Sequence, residues 1–136
     1  MEKLNPYFGL AGRVSLAIMF VAAGYGKIGA YAATQGYMES MGVPGMLLPL
    51  VIALELGGGL AIIAGWQTRI IALALAGFTL VAAFIFHLDF ADQMQSIMFM
   101  KNLSVAGGFL LLAAYGPGAF ALDGAAKTRR LASSAA

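Results

Sequence analysis

Four apolar blocks, each about as long as a helix that crosses a bilayer, fill nearly all of this 136-residue chain. A spanning helix needs about 20 predominantly apolar residues. The blocks, here named spans one to four, cover residues 7–27, 45–65, 69–87 and 94–118. Only 10% of the residues are charged, whereas a soluble domain has about 25%. The sequence therefore predicts an all-α fold, an integral membrane four-helix bundle that forms one domain over residues 1–136.

The connection between spans one and two has a character of its own. Residues 30–41 mix polar and apolar side chains and include Tyr31 and Tyr37, whose rings suit the headgroup level of a bilayer. Gly42 and Pro44 then stop the segment. We therefore expect a short interfacial helix at this point, whereas spans two and three are close enough in sequence to form a tight hairpin.

The start of span four decides whether Lys101 and Asn102 lie within a helix. A start at Leu103 would leave both residues outside, but residues 94–100 are largely apolar and favour an earlier start. The sequence therefore predicts that the Lys-Asn pair lies inside the fourth helix.

The cations that flank the spans predict the orientation of the chain, because cytoplasmic flanks of membrane proteins are enriched in Lys and Arg. In a four-span chain one side of the bilayer receives Lys3, Arg69, Lys127, Arg129 and Arg130, and the other side receives Lys27 and Lys101. Both termini are therefore expected in the cytoplasm. The alternative, a cleaved signal peptide over the first block, fits poorly with Arg13 inside that block.

Composition excludes several kinds of chemistry for the residues of this chain. It has no cysteine, so it cannot itself cycle a disulfide, hold an iron–sulfur cluster or build a thiolate zinc site. The methionines and the single histidine form no metal-ligand pattern, so we expect no metal site and no intrinsic cofactor. The net charge of +2 is too small and too scattered for a nucleic-acid surface, so nucleic acid is not an expected partner.

Five ionisable residues are candidates for positions inside the bundle: Arg13, Lys27, Glu55, His87 and Lys101. A charged group inside a spanning helix costs about 2.5–3.5 kcal/mol on insertion scales, so such groups face the bundle interior and find partners. Arg13 and Glu55 have opposite charges, and the arginine side chain is long. We therefore predict a structural ion pair between Arg13 and Glu55.

Helical spacing predicts which residues share a face. Residues separated by three, four or seven positions form a stripe along one side of a helix. The stripe in span one contains Arg13, Phe20, Gly24 and Lys27, and a comparable stripe in span four contains Lys101, Ser104, Gly108 and Leu111. In span two, the glycines at 57–59 permit close approach of a neighbouring helix.

Polar residues in the predicted outer half of the bundle indicate a ligand pocket. Its predicted lining is Lys27, Glu55, His87, Lys101 and Asn102. Such a pocket suits a lipophilic molecule with a polar head, and a quinone is the candidate ligand. The alternative interpretation is an ion-pair network that only fixes the register of the helices. A histidine at the end of a span is also common as a simple interfacial residue.

Several short motifs occur in a fixed order along the chain. They are Arg13, Gly24-Tyr-Gly-Lys27, Gly42-Val-Pro44, Glu55-Leu-Gly-Gly-Gly59, Met100-Lys-Asn-Leu-Ser-Val-Ala-Gly-Gly108 and Gly116-Pro-Gly118. In their order and spacing, residues 8–123 resemble the DoxX family.

The resemblance implies a small four-helix protein of the bacterial cytoplasmic (inner) membrane. A relative in that family is a subunit of a thiosulfate to quinone oxidoreductase, and others are associated with catechol or quinone detoxification and with thiol and oxidative stress. It therefore implies a membrane oxidoreductase subunit whose partners are lipid, a quinone and a redox protein, and it leaves homo-oligomers open. The alternative is a non-enzymatic protein that binds or transports a small lipophilic molecule or scaffolds a partner.

Overall fold

The computed structural model describes residues 4–124, in which every regular element is helical. Its helices are span one (Asn5–Gly29), the interfacial helix (Tyr31–Ser40), span two (Gly45–Ala64), span three (Thr68–Phe86) and span four (Gln93–Tyr115). The all-α, four-span prediction is confirmed. The orientation stays a prediction, and four of its cations lie outside the described residues: Lys3, Lys127, Arg129 and Arg130. Following that prediction, we name the end with the interfacial helix the outer end.

The four spans pack in a ring. Span one packs against span two along its whole length, and span three packs extensively against span four. Span two meets span three chiefly through its inner half, Gly58–Ala64. The rings of Phe20 and Phe109, 5.3 Å apart, close the core between spans one and four. The buried core contains Ala17, Phe20, Ile62, Ala72, Leu75, Ala76, Ala106, Phe109 and Ala113.

Glycines bring spans one and two into close contact, whereas the sequence predicted only that the glycines of span two permit a neighbouring helix to approach. A methyl group at Gly24 would lie 2.7 Å from the backbone nitrogen of Leu56, and one at Gly59 would lie 2.8 Å from Val21 Cγ2. The buried residues of span one are Arg13, Ala17, Phe20 and Gly24. The predicted stripe of span one is therefore the face that packs into the bundle.

Span two is not a uniform α-helix. A 3₁₀ turn (Gly45–Leu47) leads into an α-helical turn (Leu48–Ile52), a π-helical segment (Ala53–Gly57) and a final α-helix (Gly58–Ala64). A π-helical segment inserts an extra residue into the helical turn and is frequent at functional sites. This segment contains Glu55, and nothing in the sequence predicted it.

Span four begins early, as predicted, because the Asp92 side chain accepts hydrogen bonds from the backbone nitrogens of Met94 and Gln95 at 2.7 and 3.1 Å. The predicted stripe of span four is not its buried face, although Gly108 in that stripe packs on Leu16. Lys101 and its partners in that stripe are mostly exposed, whereas the buried residues are Ala106, Phe109 and Ala113. Span four is apolar or small on nearly every side after residue 102, so its sequence does not mark which face is buried.

Arg13 holds the inner end of the bundle together. Its guanidinium donates to the carbonyl oxygens of Pro117 at 2.8 Å, Ile63 at 3.0 Å and Phe120 at 2.6 Å. Ile63 lies in the last turn of span two, where carbonyls have no partner within the helix. Arg13 therefore ties spans one and two to the segment that follows span four.

Asp123 completes this inner clasp, which consists of Arg13, Asp123 and the backbone they bind. Its carboxylate accepts from the backbone nitrogens of Gln67 and Thr68 at 2.8 and 2.9 Å, so it caps the first turn of span three. Burial alone would raise the pKa of Asp123, but these hydrogen bonds and the charge of Arg13 lower that pKa below its ordinary value. Gly65 has a φ of +71°, and a side chain there would collide with Ala121.

Candidate functional site

A cavity of about 580 Å³ lies in the outer half of the bundle. All five residues that the sequence predicted for a pocket line this cavity: Lys27, Glu55, His87, Lys101 and Asn102. Spans one to four and the interfacial helix all contribute to the wall, which is otherwise largely apolar. The apolar lining includes Met19, Phe20, Ala23, Val51, Phe78, Ala82 and Ile85.

Glu55 is the polar centre of the cavity wall, and its partner is Lys27. The Lys27 Nζ donates to Glu55 Oε1 at 3.0 Å and lies 2.7 Å from Oε2. The Glu55 side chain is 7% exposed and the Lys27 side chain 26% exposed. The predicted pair between Arg13 and Glu55 is therefore wrong, because each of the two residues has other partners.

The axial register of spans one and two explains the difference. Leu56 packs on Gly24, so Glu55 lies level with the outer part of span one. Lys27 is one turn from Gly24, within reach of the carboxylate. Arg13 lies eleven residues from Gly24, about 16 Å along the helix axis, which is beyond its reach.

The other polar residues differ in their surroundings. His87 Nδ1 lies 2.6 Å from Gln95 Oε1, so the ring is oriented by span four rather than by the ion pair. Asn102 is half-buried, and its side-chain amide has no hydrogen bond within residues 4–124. Lys101 lines the cavity but is largely exposed, and it has no ion-pair partner in the described part of the chain.

The sequence did not indicate two lining residues, Tyr37 and Met38, or the partner of His87, which is Gln95. Tyr37 and Met38 of the interfacial helix form the outer wall, where the Tyr37 ring stacks on Phe86 with centroids 5.5 Å apart. Gln95 orients His87 across the loop between spans three and four. The spacing within one helix could not reveal these contacts, because each joins two elements whose relative placement the sequence does not specify.

The arrangement combines an apolar chamber with an ion pair and an unpaired amide. A ligand of matching chemistry has an apolar body and a small head that both donates and accepts hydrogen bonds. Among the residues that the structure describes, no three His, Cys, Asp or Glu side chains are grouped to hold a metal ion.

Fold and site together define a multi-pass membrane protein with a polar-centred cavity in one half of its bundle. The family model described as DoxX matches residues 8–88, and the chain belongs to the DoxX family. Span four, with Lys101 and Asn102, lies beyond the matched residues.

Two curated relatives are similar over most of their length. The chain is 58% identical to Inner membrane protein YqjF of Escherichia coli (strain K12) over 123 residues, which is 90% of this chain and 95% of the relative. It is 36% identical to Inner membrane protein YphA of the same organism over 127 residues, 88% of this chain and 90% of the relative. No solved structure gives a significant match. With its four apolar spans, the chain is a multi-pass protein of the bacterial inner membrane.

Proposed function

We propose that this protein binds the headgroup of a quinone, or of a similar lipophilic molecule, in the cavity and serves as the membrane subunit of a quinone-linked redox system. The observation that carries the proposal is that five polar residues line one largely apolar cavity. They come from spans one, two and four and from the residue that follows span three. Apolar walls with a few placed polar groups are the usual composition of a small-molecule site.

The polar groups complement both redox forms of a quinone head. Glu55 Oε2 is buried and lies 2.7 Å from Lys27 Nζ, and a carboxylate oxygen can accept a second hydrogen bond besides this contact. A ring hydroxyl of the reduced form would donate to this oxygen, and a ring carbonyl of the oxidised form would accept from the amide of Asn102. Lys27 would stabilise negative charge that develops on the head.

The proposed redox system includes a partner. The chain has no cysteine, so it can carry electrons neither on a disulfide nor on an iron–sulfur cluster. We therefore assign the delivery of electrons to a redox protein beside it or to a direct donor. The residues of the cavity then bind and orient the head and supply fixed charge, while the partner supplies the reducing equivalents.

One observation favours a second, non-enzymatic candidate. Lys27 and Glu55 neutralise each other within 3.0 Å, so the pair is stable in the bilayer without any ligand chemistry. In this candidate the protein binds or transports a small lipophilic molecule, or scaffolds a partner, without electron transfer.

The test compares two neighbouring variants of span four in protein reconstituted in lipid nanodiscs and titrated with a short-tailed benzoquinone. Asn102→Ala removes the free amide and is expected to weaken binding about tenfold, the loss expected for one hydrogen bond to the head. Ser104→Ala is the matched control, because Ser104 is exposed away from the cavity and bonds only the carbonyl of Met100. Thermal unfolding checks that both variants are folded.

Lys101→Arg tests whether Lys101 also contacts the quinone headgroup. A lysine that only reaches toward lipid headgroups would tolerate arginine, whereas a planar, larger guanidinium would disturb a ligand contact. We expect weaker quinone binding in this variant. A wild-type protein that binds no quinone would contradict the proposal. Quinone binding without reduction in the presence of the copurified partner would favour the second candidate.

A further inference from the structure

The two ends of the cavity are closed to a long ligand. At the outer end, Met38 is buried and Tyr37 stacks on Phe86, so the interfacial helix covers the chamber. At the inner end, Phe20 and Phe109 pack edge to face in the core. A molecule longer than its headgroup must therefore leave the cavity sideways, between two helices.

Two of the four helix boundaries are sealed by packing. Spans one and two touch at Gly24 and Gly59, where even a methyl group has no room. Spans three and four are joined in the outer half by the ring contact between Phe84 and Phe99, 5.4 Å apart, and by the hydrogen bond from His87 to Gln95.

The boundary between spans four and one is polar at its outer end. Its cavity wall includes both Lys27 and Lys101, and Lys101 is exposed. Further in, Gly108 packs directly on Leu16. Ammonium groups line this side, so an apolar chain gains little by leaving here.

The boundary between spans two and three is apolar and open in its outer half. Its cavity-lining residues, here named the side opening, are Leu47, Val51, Phe78, Val81 and Ile85. Val81 is 57% exposed, Leu47 42% and Ile85 37%. The outer part of span two packs only sparsely on span three, so these exposed apolar side chains lie where the cavity meets the bilayer.

We infer that the site takes a tailed lipid whose apolar chain lies in the side opening between spans two and three, while its head contacts Glu55 and Asn102. The identity of the head rests on the proposed function. The side opening is observed in the structure and does not depend on that function. The ligand then comes from and returns to the bilayer by lateral diffusion, without crossing water.

A binding experiment tests where the tail lies. Val81→Trp places a large ring in the side opening, and Leu73→Trp is the matched control on the same helix, because Leu73 is 55% exposed and does not line the cavity. The probes are a benzoquinone with a ten-carbon tail and the same benzoquinone without a tail. We expect Val81→Trp to weaken binding of the tailed probe at least tenfold and to leave the tailless probe within twofold, and Leu73→Trp to change neither. Unchanged binding of the tailed probe, or equal loss of both probes, would overturn the inference.

A second measurement needs no ligand. In a Trp66→Phe background, which removes the single tryptophan, a tryptophan is introduced by Phe78→Trp, by Leu73→Trp or by Phe109→Trp. Lipids with brominated acyl chains then quench the fluorescence of residues that contact them. We expect quenching for Phe78→Trp to approach that of lipid-facing Leu73→Trp, and Phe109→Trp, in the core, to be protected. If the tryptophan of Phe78→Trp were as well protected from quenching as that of Phe109→Trp, the side opening would be overturned. If the wild-type protein bound neither quinone probe, that result would count against the proposed function alone.

Discussion

Lys27 and Glu55 form the one ion pair within residues 4–124, and they lie where a charge alone would be costly. Removing one partner of a buried pair leaves the other charge uncompensated, which destabilises proteins by about 3–5 kcal/mol. The Lys27 side chain is a quarter exposed, so the cost of Glu55→Gln is expected near the lower end of that range.

A double-mutant cycle tests the pair. Lys27→Met and Glu55→Gln should each lower the free energy of unfolding, and the double variant should lose clearly less than the sum, with a coupling energy above about 0.5 kcal/mol. The measurement is reversible unfolding in mixed micelles. The control cycle joins Arg13→Gln to Glu55→Gln, because Arg13 bonds only backbone carbonyls near the inner end. Additivity in the first cycle, or strong coupling in the control, would show that the charges are paired differently.

At the level of the helices, the sequence predicted the features that depend on the length of an apolar block or on the residues of one helix. Apolar block lengths predicted the four spans to within a few residues, and the glycines of span two predicted close approach of a neighbouring helix, which is span one. The choice of Lys27 over Arg13 for Glu55 depends on the axial register of two helices, which the interfacial helix and the Gly24–Leu56 contact determine together. The buried face of span four was not predictable, because hydrophobic periodicity is lost where nearly every residue is apolar.

The helix contact itself can be tested with two glycines that are two residues apart. Gly59→Ala puts a methyl group against Val21 and the backbone of span one, so it should separate the helices and destabilise the protein by about 1–3 kcal/mol, as overpacking does. Gly57→Ala is the matched control, since a methyl group there meets nothing within 4 Å. We expect its unfolding temperature to equal or exceed that of the wild type. Equal destabilisation by both changes would mean that helix flexibility, and not the contact, is what glycine provides.

Over the whole molecule, the two ends of the bundle are built differently. At the inner end, the clasp of Arg13 and Asp123 ties three spans to the segment after Tyr115. At the outer end, spans two and three separate around the cavity, and only the interfacial helix covers it. A firmly held base below a hollow upper half allows ligand exchange without loosening the inner end, because the hydrogen bonds of Arg13 and Asp123 are remote from the cavity.

The orientation of the whole chain determines which leaflet supplies the ligand, because it sets which membrane face each end of the bundle occupies. The cation distribution predicts that both termini lie in the cytoplasm and that the cavity lies in the periplasmic half. The chain has no cysteine, so single cysteines can be introduced without background. Ala91 lies in the exposed loop between spans three and four, and Ala119 lies in the exposed segment after span four. Ala91→Cys and Ala119→Cys therefore place one cysteine at each end of the bundle.

We expect a membrane-impermeant maleimide added to spheroplasts to label Ala91→Cys at once and Ala119→Cys only after lysis. Both changes replace an exposed alanine, so unequal reactivity would reflect the side of the membrane rather than burial. Labelling in the opposite order would show that the bundle has the opposite orientation in the membrane. The side opening would then face the cytoplasmic leaflet, and a redox partner would have to be sought in the cytoplasm. Labelling in the expected order directs that search to periplasmic and membrane-bound proteins, because the head of the ligand then lies in the outer half of the bilayer.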